Sequence, residues 1–74
     1  MLLNGPKIRR MRENLGMTGR DLCEAASLSK AYLSQIEQND RGCSPNTAAR
    51  LAAALEVAIV DLRRSDEEAL EALD

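Results

Sequence analysis

The chain contains no histidine, phenylalanine or tryptophan, and Tyr32 is its one aromatic residue. Without aromatics, the interior of a 74-residue chain has to be assembled from Leu, Ile, Val, Met and Ala, a diet that favours helices over sheets. Without histidine, Cys23 and Cys43 provide neither CxxC spacing nor a four-ligand zinc set, so two reduced thiols and no metal or cofactor are expected. The same lack weighs against an enzyme: no nucleophile has an evident base beside it, and no glycine-rich phosphate loop is present. No apolar run approaches the roughly 18 residues that a membrane span requires. The start MLLNGPK lacks the hydrophobic region of a secretory signal. These absences predict a cytoplasmic domain with no membrane partner and a small, closely packed core.

What is present is an uneven charge. The net charge is −2, which by itself argues against a nucleic-acid partner. Divided by position, residues 1–50 hold eight Lys or Arg against five Asp or Glu, a net of +3, and residues 51–74 hold two against seven, a net of −5. The first part can therefore offer a positive face to phosphate while the end stays acidic.

Periodicity predicts a bundle of about five short helices. Pro6 suits a first turn, and Ile8, Met11 and Leu15 then share a face until Gly16, predicting a helix over 6–15. Thr18, with Asp21 three residues on, forms a shortened capping box for a helix over 18–26 whose inner side carries Leu22, Cys23 and Ala26. Ser27 and Leu28 break the pattern. Ser29 offers a fresh N-cap for a helix over 29–38, with Leu33 and Ile36 turned inward. Residues 39–45 form a polar, turn-rich loop. Ser44 or Asn46 then caps a fourth helix with Ala48, Leu51, Ala52 and Leu55 in a stripe, and residues 59–62 form a short fifth that closes the core. Residues 65–74 carry a capping box, Ser65 and Glu68, with Leu70 and Leu73 at helical spacing, so the expected division is a domain over 1–64 and an acidic helical tail over 65–74.

Two short helices joined by a tight turn, with one helix before and two after, is an arrangement that places a helix in the major groove of DNA. The stretch LGMTGRDLCEAASLSKAYLSQIEQN, followed after a loop by SPNTAARLAAALEV, resembles the phage repressor and Cro (Xre-type) helix-turn-helix domains over residues 8–62. The resemblance implies a compact, all-α, lambda-repressor-like fold. It also implies that Lys30, Ala31, Ser34 and Gln35 face the groove, where Lys suits guanine, Gln suits adenine and Ala suits a thymine methyl. Thr18, Gly19 and Arg20 at a helix N-terminus, together with Tyr32, Gln38, Asn39 and Arg41, are implied phosphate contacts, and Arg9 and Arg10 extend the positive surface. For Tyr32 a half-buried brace between helices remains an alternative, and for Lys30, Gln35, Arg9 and Arg10 a solvated face. Arg12 and Glu37 match a structural ion pair that ties the recognition helix to the first.

Four positions depart from the family pattern. Gly19 stands where many members have Gln, and Ser27 where they have a turn Gly that often needs positive φ. Glu56 replaces a helix-ending Gly and Ala58 a usual N-cap, departures that would merge the last two helices or shift their boundaries. The implied function is a sequence-specific DNA-binding transcriptional regulator acting as a homodimer on double-stranded DNA, with repression the simpler default. The alternative is a protein-interaction module, antitoxin-like or an accessory subunit, that binds a partner through its tail.

Overall fold

Four helix N-termini are set by four side chains that accept from backbone amides three residues ahead: Asn4, Thr18, Ser29 and Ser44. They start α1 (Gly5–Asn14), α2 (Gly19–Ala26), α3 (Lys30–Glu37) and α4 (Pro45–Leu55), which are followed by a single turn of 3-10 helix, Ile59–Asp61. The computed structural model describes residues 1–39 and 41–64; the acidic tail and Asp40 lie outside the described residues. The expected bundle is thus four α-helices, with the fifth reduced to one turn. Ser44, not Asn46, is the cap of α4, and Thr18 caps α2 in a complete capping box.

The helix ends obey a common rule. Gly16, Ser27 and Glu56 each take a left-handed conformation, with φ of 72°, 58° and 59°. Each then lets the next amide reach back to the last turn: Met17 to the Arg12 carbonyl at 3.0 Å, Leu28 to Cys23 at 2.8 Å, and Val57 to Ala52 at 3.0 Å. This is the reach-back closure that glycine usually serves. Glu56 therefore ends α4 where a glycine would, and the last two helices stay separate rather than merging. Ala58 brings no side-chain cap, and Asp61 supplies the reciprocal half of a capping box, its carboxylate accepting from the Ala58 amide at 3.1 Å.

Ile8, Leu22, Ile36, Leu51, Leu55 and Leu62 are fully buried, and α4 packs chiefly on α2 while α3 packs on α1 and α2. Leu15 does not join this core. It follows the last residue of α1 and is 48% exposed, because the helix ends before its periodic position can turn inward. Leu3 joins instead: it is buried and pairs antiparallel with Arg63, while the Asn4 amide donates to the Leu62 carbonyl at 2.7 Å. Arg64 completes this latch by donating to the carbonyls of Leu3 at 3.2 Å and Asn39 at 3.3 Å.

Two contacts fix α3 to α1. The Arg12 guanidinium donates through Nε to Glu37 Oε2 at 3.0 Å, through Nη2 to Glu37 Oε1 at 3.3 Å, and through Nη1 to the Met17 carbonyl at 3.0 Å. The two side chains are only 12% and 13% exposed. The hydrogen bond to Glu37 raises the Arg12 pKa further above its ordinary value, against a smaller opposing effect of burial, so the guanidinium stays charged. The second contact is backbone on backbone. A Cβ on Gly5 would overlap the carbonyls of Ile36 and Glu37, so only glycine lets α1 begin this close to the end of α3. The Gly5 amide donates to Asn39 Oδ1 at 2.9 Å, and the positive end of α1 thereby meets the negative end of α3.

Replacing Gly5 by Ala is expected to cost ~2–3 kcal/mol, since α1 must move off α3, and the shift is measured as a lower urea midpoint. Ser27→Gly should act in the other direction. Relief of left-handed strain exceeds the added chain entropy and raises stability by ~0.5–1 kcal/mol in the same titration; an unchanged or lower midpoint counts against strain at Ser27. Arg12→Ala leaves the half-buried Glu37 carboxylate without its partner and should cost ~2 kcal/mol, whereas the double change Arg12→Met with Glu37→Leu should cost clearly less than either single truncation. A double mutant less stable than both singles would contradict this account of the pair.

Candidate nucleic-acid interface

With Leu33 and Ile36 buried, the helical period of about 100° per residue decides what α3 turns to solvent. Lys30, Ala31, Ser34, Gln35 and Gln38 are all exposed and form one continuous outward strip. The structure thus brings together, on a single face, the four residues expected to meet base edges. Ala31 and Gln38 run along the middle of the strip. Lys30 and Ser34 border it on the side of α2, and Tyr32 and Gln35 border it on the other side.

On the α2 side a cleft of about 310 Å³ is lined by Gly19, Arg20, Cys23, Lys30, Leu33, Ser34 and Glu37. Gly19 is in the first turn of α2 and a Cβ there would meet nothing within 4 Å, so no neighbour requires a glycine beside this opening. The departure from the family's Gln at this position is therefore a local loss of surface and not a packing requirement. Cys23 closes the floor and is buried, which pushes its thiol pKa up and keeps it neutral and unreactive.

The first-turn amides of Gly19 and Arg20 have no intrahelical acceptor, as at any helix N-terminus, and face the approach to this cleft. Arg20 is exposed and forms a 3.3 Å pair with Glu24, one turn along the same helix, a contact weak enough to be exchanged for a phosphate. Asp21 is the opposing charge: its carboxylate accepts from the Thr18 backbone amide at 2.9 Å, and that bond holds its pKa below the ordinary value. It occupies the capping position that an anion would otherwise compete for, and leaves Gly19 and Arg20 as the amides available.

The opposite border is organised by Arg41, which follows α3. Its guanidinium lies over the Tyr32 ring, 4.6 Å from the centroid, and donates to Gln35 Oε1 at 3.2 Å. Tyr32 itself is half-buried against the core. It is therefore a brace and a platform at once, with its hydroxyl end left to the surface. Along the middle of the strip, Gln38 Nε2 donates to Ser34 Oγ at 3.0 Å. Asn39 is used differently: its side-chain Oδ1 accepts from the Gly5 amide, and its backbone takes φ 62°. Arg9 is exposed and forms a 3.5 Å pair with Glu13 along α1, and Arg10 is exposed as well.

Gly5 and Arg64 were not legible as functional positions. Both act at the carboxyl end of α3, and a glycine beside Pro6 gives only the ordinary signal of a helix start. Among the described residues no cluster of acidic residues or thiols is arranged to hold a metal, and no helix is long and apolar enough to cross a membrane.

The architecture has close counterparts. A restriction-modification controller protein, C.AhdI from Aeromonas hydrophila, superposes with a TM-score of 0.73 at 24% identity, over 77% of this chain and 86% of its own. The clp gene regulator ClgR from Corynebacterium glutamicum is 33% identical, with a TM-score of 0.70 over 77% of this chain and 74% of its own. SinR, in a complex of SinR with SinI, gives 0.79 at 30% identity, over 93% of this chain and 66% of the other. No curated protein sequence matches the chain. The family model described as "Helix-turn-helix domain" matches residues 5–65, nearly the whole of the described fold. With α2 and α3 as the two helices of the motif and Ser27 in its turn, the chain belongs to the helix-turn-helix domain family, of the repressor and Cro kind that its sequence resembles.

Proposed function

We propose that the chain is a sequence-specific DNA-binding transcriptional regulator that reads the major groove with α3. The observation that carries this reading is the exposed strip of Lys30, Ala31, Ser34 and Gln35 on a helix whose other side is locked by Leu33, Ile36 and the Arg12–Glu37 pair. A recognition surface has to be polar, outward and rigid, and this one is all three. Thr18, Gly19 and Arg20 then take a phosphate at the N-terminus of α2. Tyr32, Gln38 and Arg41 border the other strand, and the exposed amide nitrogen of Asn39 adds a weaker contact. The similarity to a gene regulator and to controller proteins supports the same role.

One such module covers too little DNA for high specificity, so the working form is a homodimer on a palindromic site with half-sites one helical turn apart. Val60, in the 3-10 turn and 69% exposed beside half-buried Val57 and Ile59, is the apolar position best suited to a two-fold contact. Occupying a promoter-proximal site makes repression the simplest outcome, and such a protein works in the compartment that holds the DNA. A second reading, a module that binds another protein through residues 65–74, draws support from the likeness to SinR, seen in complex with SinI.

Selection from randomised duplex DNA tests the proposal. A palindromic consensus with affinity that falls steeply as salt rises is expected, from release of counterions at several phosphate contacts. Gln35→Ala should alter preference at one base position per half-site by about 1–3 kcal/mol, while Arg20→Ala should weaken every sequence alike. Absence of any duplex affinity at low salt would rule out the regulator and favour the protein-binding module.

A further inference from the structure

Gln35, Tyr32 and Arg41 form a cluster whose internal geometry restricts what α3 can offer a base. A guanidinium has donors only, so the Gln35 amide atom facing Arg41 at 3.2 Å is the oxygen, and the orientation of the amide follows from chemistry. Arg41 is in turn seated on the Tyr32 ring, and Tyr32 is wedged against the core. The order of support runs from core to Tyr32 to Arg41 to Gln35.

This arrangement bears on which base Gln35 can read. Pairing with adenine requires Oε1 to accept from N6 while Nε2 donates to N7. Here one of the two Oε1 lone pairs already accepts from a cation, so an adenine amino group would have to share that oxygen with a guanidinium and bring a second donor up to a positive charge. Guanine presents O6 and N7, both acceptors, which suit Gln35 Nε2 and a free Arg41 N–H together. We infer that Arg41 is a positioning residue that biases Gln35 towards reading through its Nε2 donor, so that the Gln35–Arg41 pair favours guanine where Gln35 alone favours adenine. The inference rests on the DNA-binding reading above and replaces a generic phosphate role for Arg41 with a specificity role.

The test compares the full chain with Arg41→Ala and Arg41→Lys in the same duplex selection, the relevant base position being the one whose preference disappears in Gln35→Ala. The expected result is guanine for the unmodified protein, a shift of roughly tenfold towards adenine in Arg41→Ala, and guanine retained in Arg41→Lys, which keeps a donor to Oε1. Arg41 is exposed, so thermal midpoints within a degree or so of each other should accompany the change and separate it from a folding defect. Selection of adenine by the unmodified protein would overturn the inference. So would an Arg41→Ala variant that loses affinity for all sequences equally while keeping the same base, since Arg41 would then be a phosphate contact alone. Absence of duplex binding by the unmodified protein is a different result: it removes the regulator reading itself, and this inference with it.

Discussion

The half-buried pair between Arg12 and Glu37 is the constraint on which the rest of the molecule depends. A helix of eight residues, Lys30–Glu37, is too short to hold its own shape in water, and it presents polar side chains on one whole side. Its rigidity has to come from elsewhere. Leu33 and Ile36 supply the non-directional part by burial, and the guanidinium supplies the directional part, fixing the rotation of the last turn of α3 against α1 and against the Met17 carbonyl. Burial alone tolerates small rotations. A bidentate pair does not, and rotation about the helix axis decides which side chains a groove would meet.

The interface is therefore best understood as two flanks with different characters. Towards α2 the surface is open: a cleft lies beside Gly19, and the charges around it are loosely held, Arg20 by an exposed pair with Glu24. Towards Arg41 the surface is organised before any partner arrives, through stacking on Tyr32 and a bond to Gln35. On the proposed DNA-binding reading, the open flank would adapt to a backbone that varies little with sequence and the pre-set flank would discriminate. That division of labour follows from two residues that carry no periodic signal, one a glycine in a helix and the other an arginine in a loop.

Much of the fold was legible in the chain because local signals agreed with one another. Thr18 with Asp21, Ser29 and Ser44 are helix starts by the chemistry of their own side chains, and Leu22, Leu33, Ile36, Leu51 and Leu55 fall inward by period alone. The exposed strip on α3 is the complement of that same period. What was not legible depends on distant contacts. Leu15 keeps the period of α1 yet lies outside it, because the helix ends one residue earlier. Gly5 looks like any helix start until α3 is brought against it, and Leu3 looks like a terminal hydrophobic until Arg63 lies alongside. Glu56 shows the converse, a residue poorly suited to a left-handed turn that adopts one because α4 has nowhere else to stop.

The latch between Leu3, Arg63 and Arg64 has a kinetic meaning. The Arg64 side chain reaches back 61 positions to Leu3 and its amide 62 to Leu2, so the latch closes the longest hydrogen-bonded loop among the described residues and is the contact least favoured to form early and most ready to open in a native fluctuation. Arg64 also holds the carbonyl of Asn39, whose side chain holds Gly5 at the end of α3. Breathing at the extremities of the domain is thereby coupled to the seating of the helix that faces outward, and anything that grips those extremities slows the loosening of that helix.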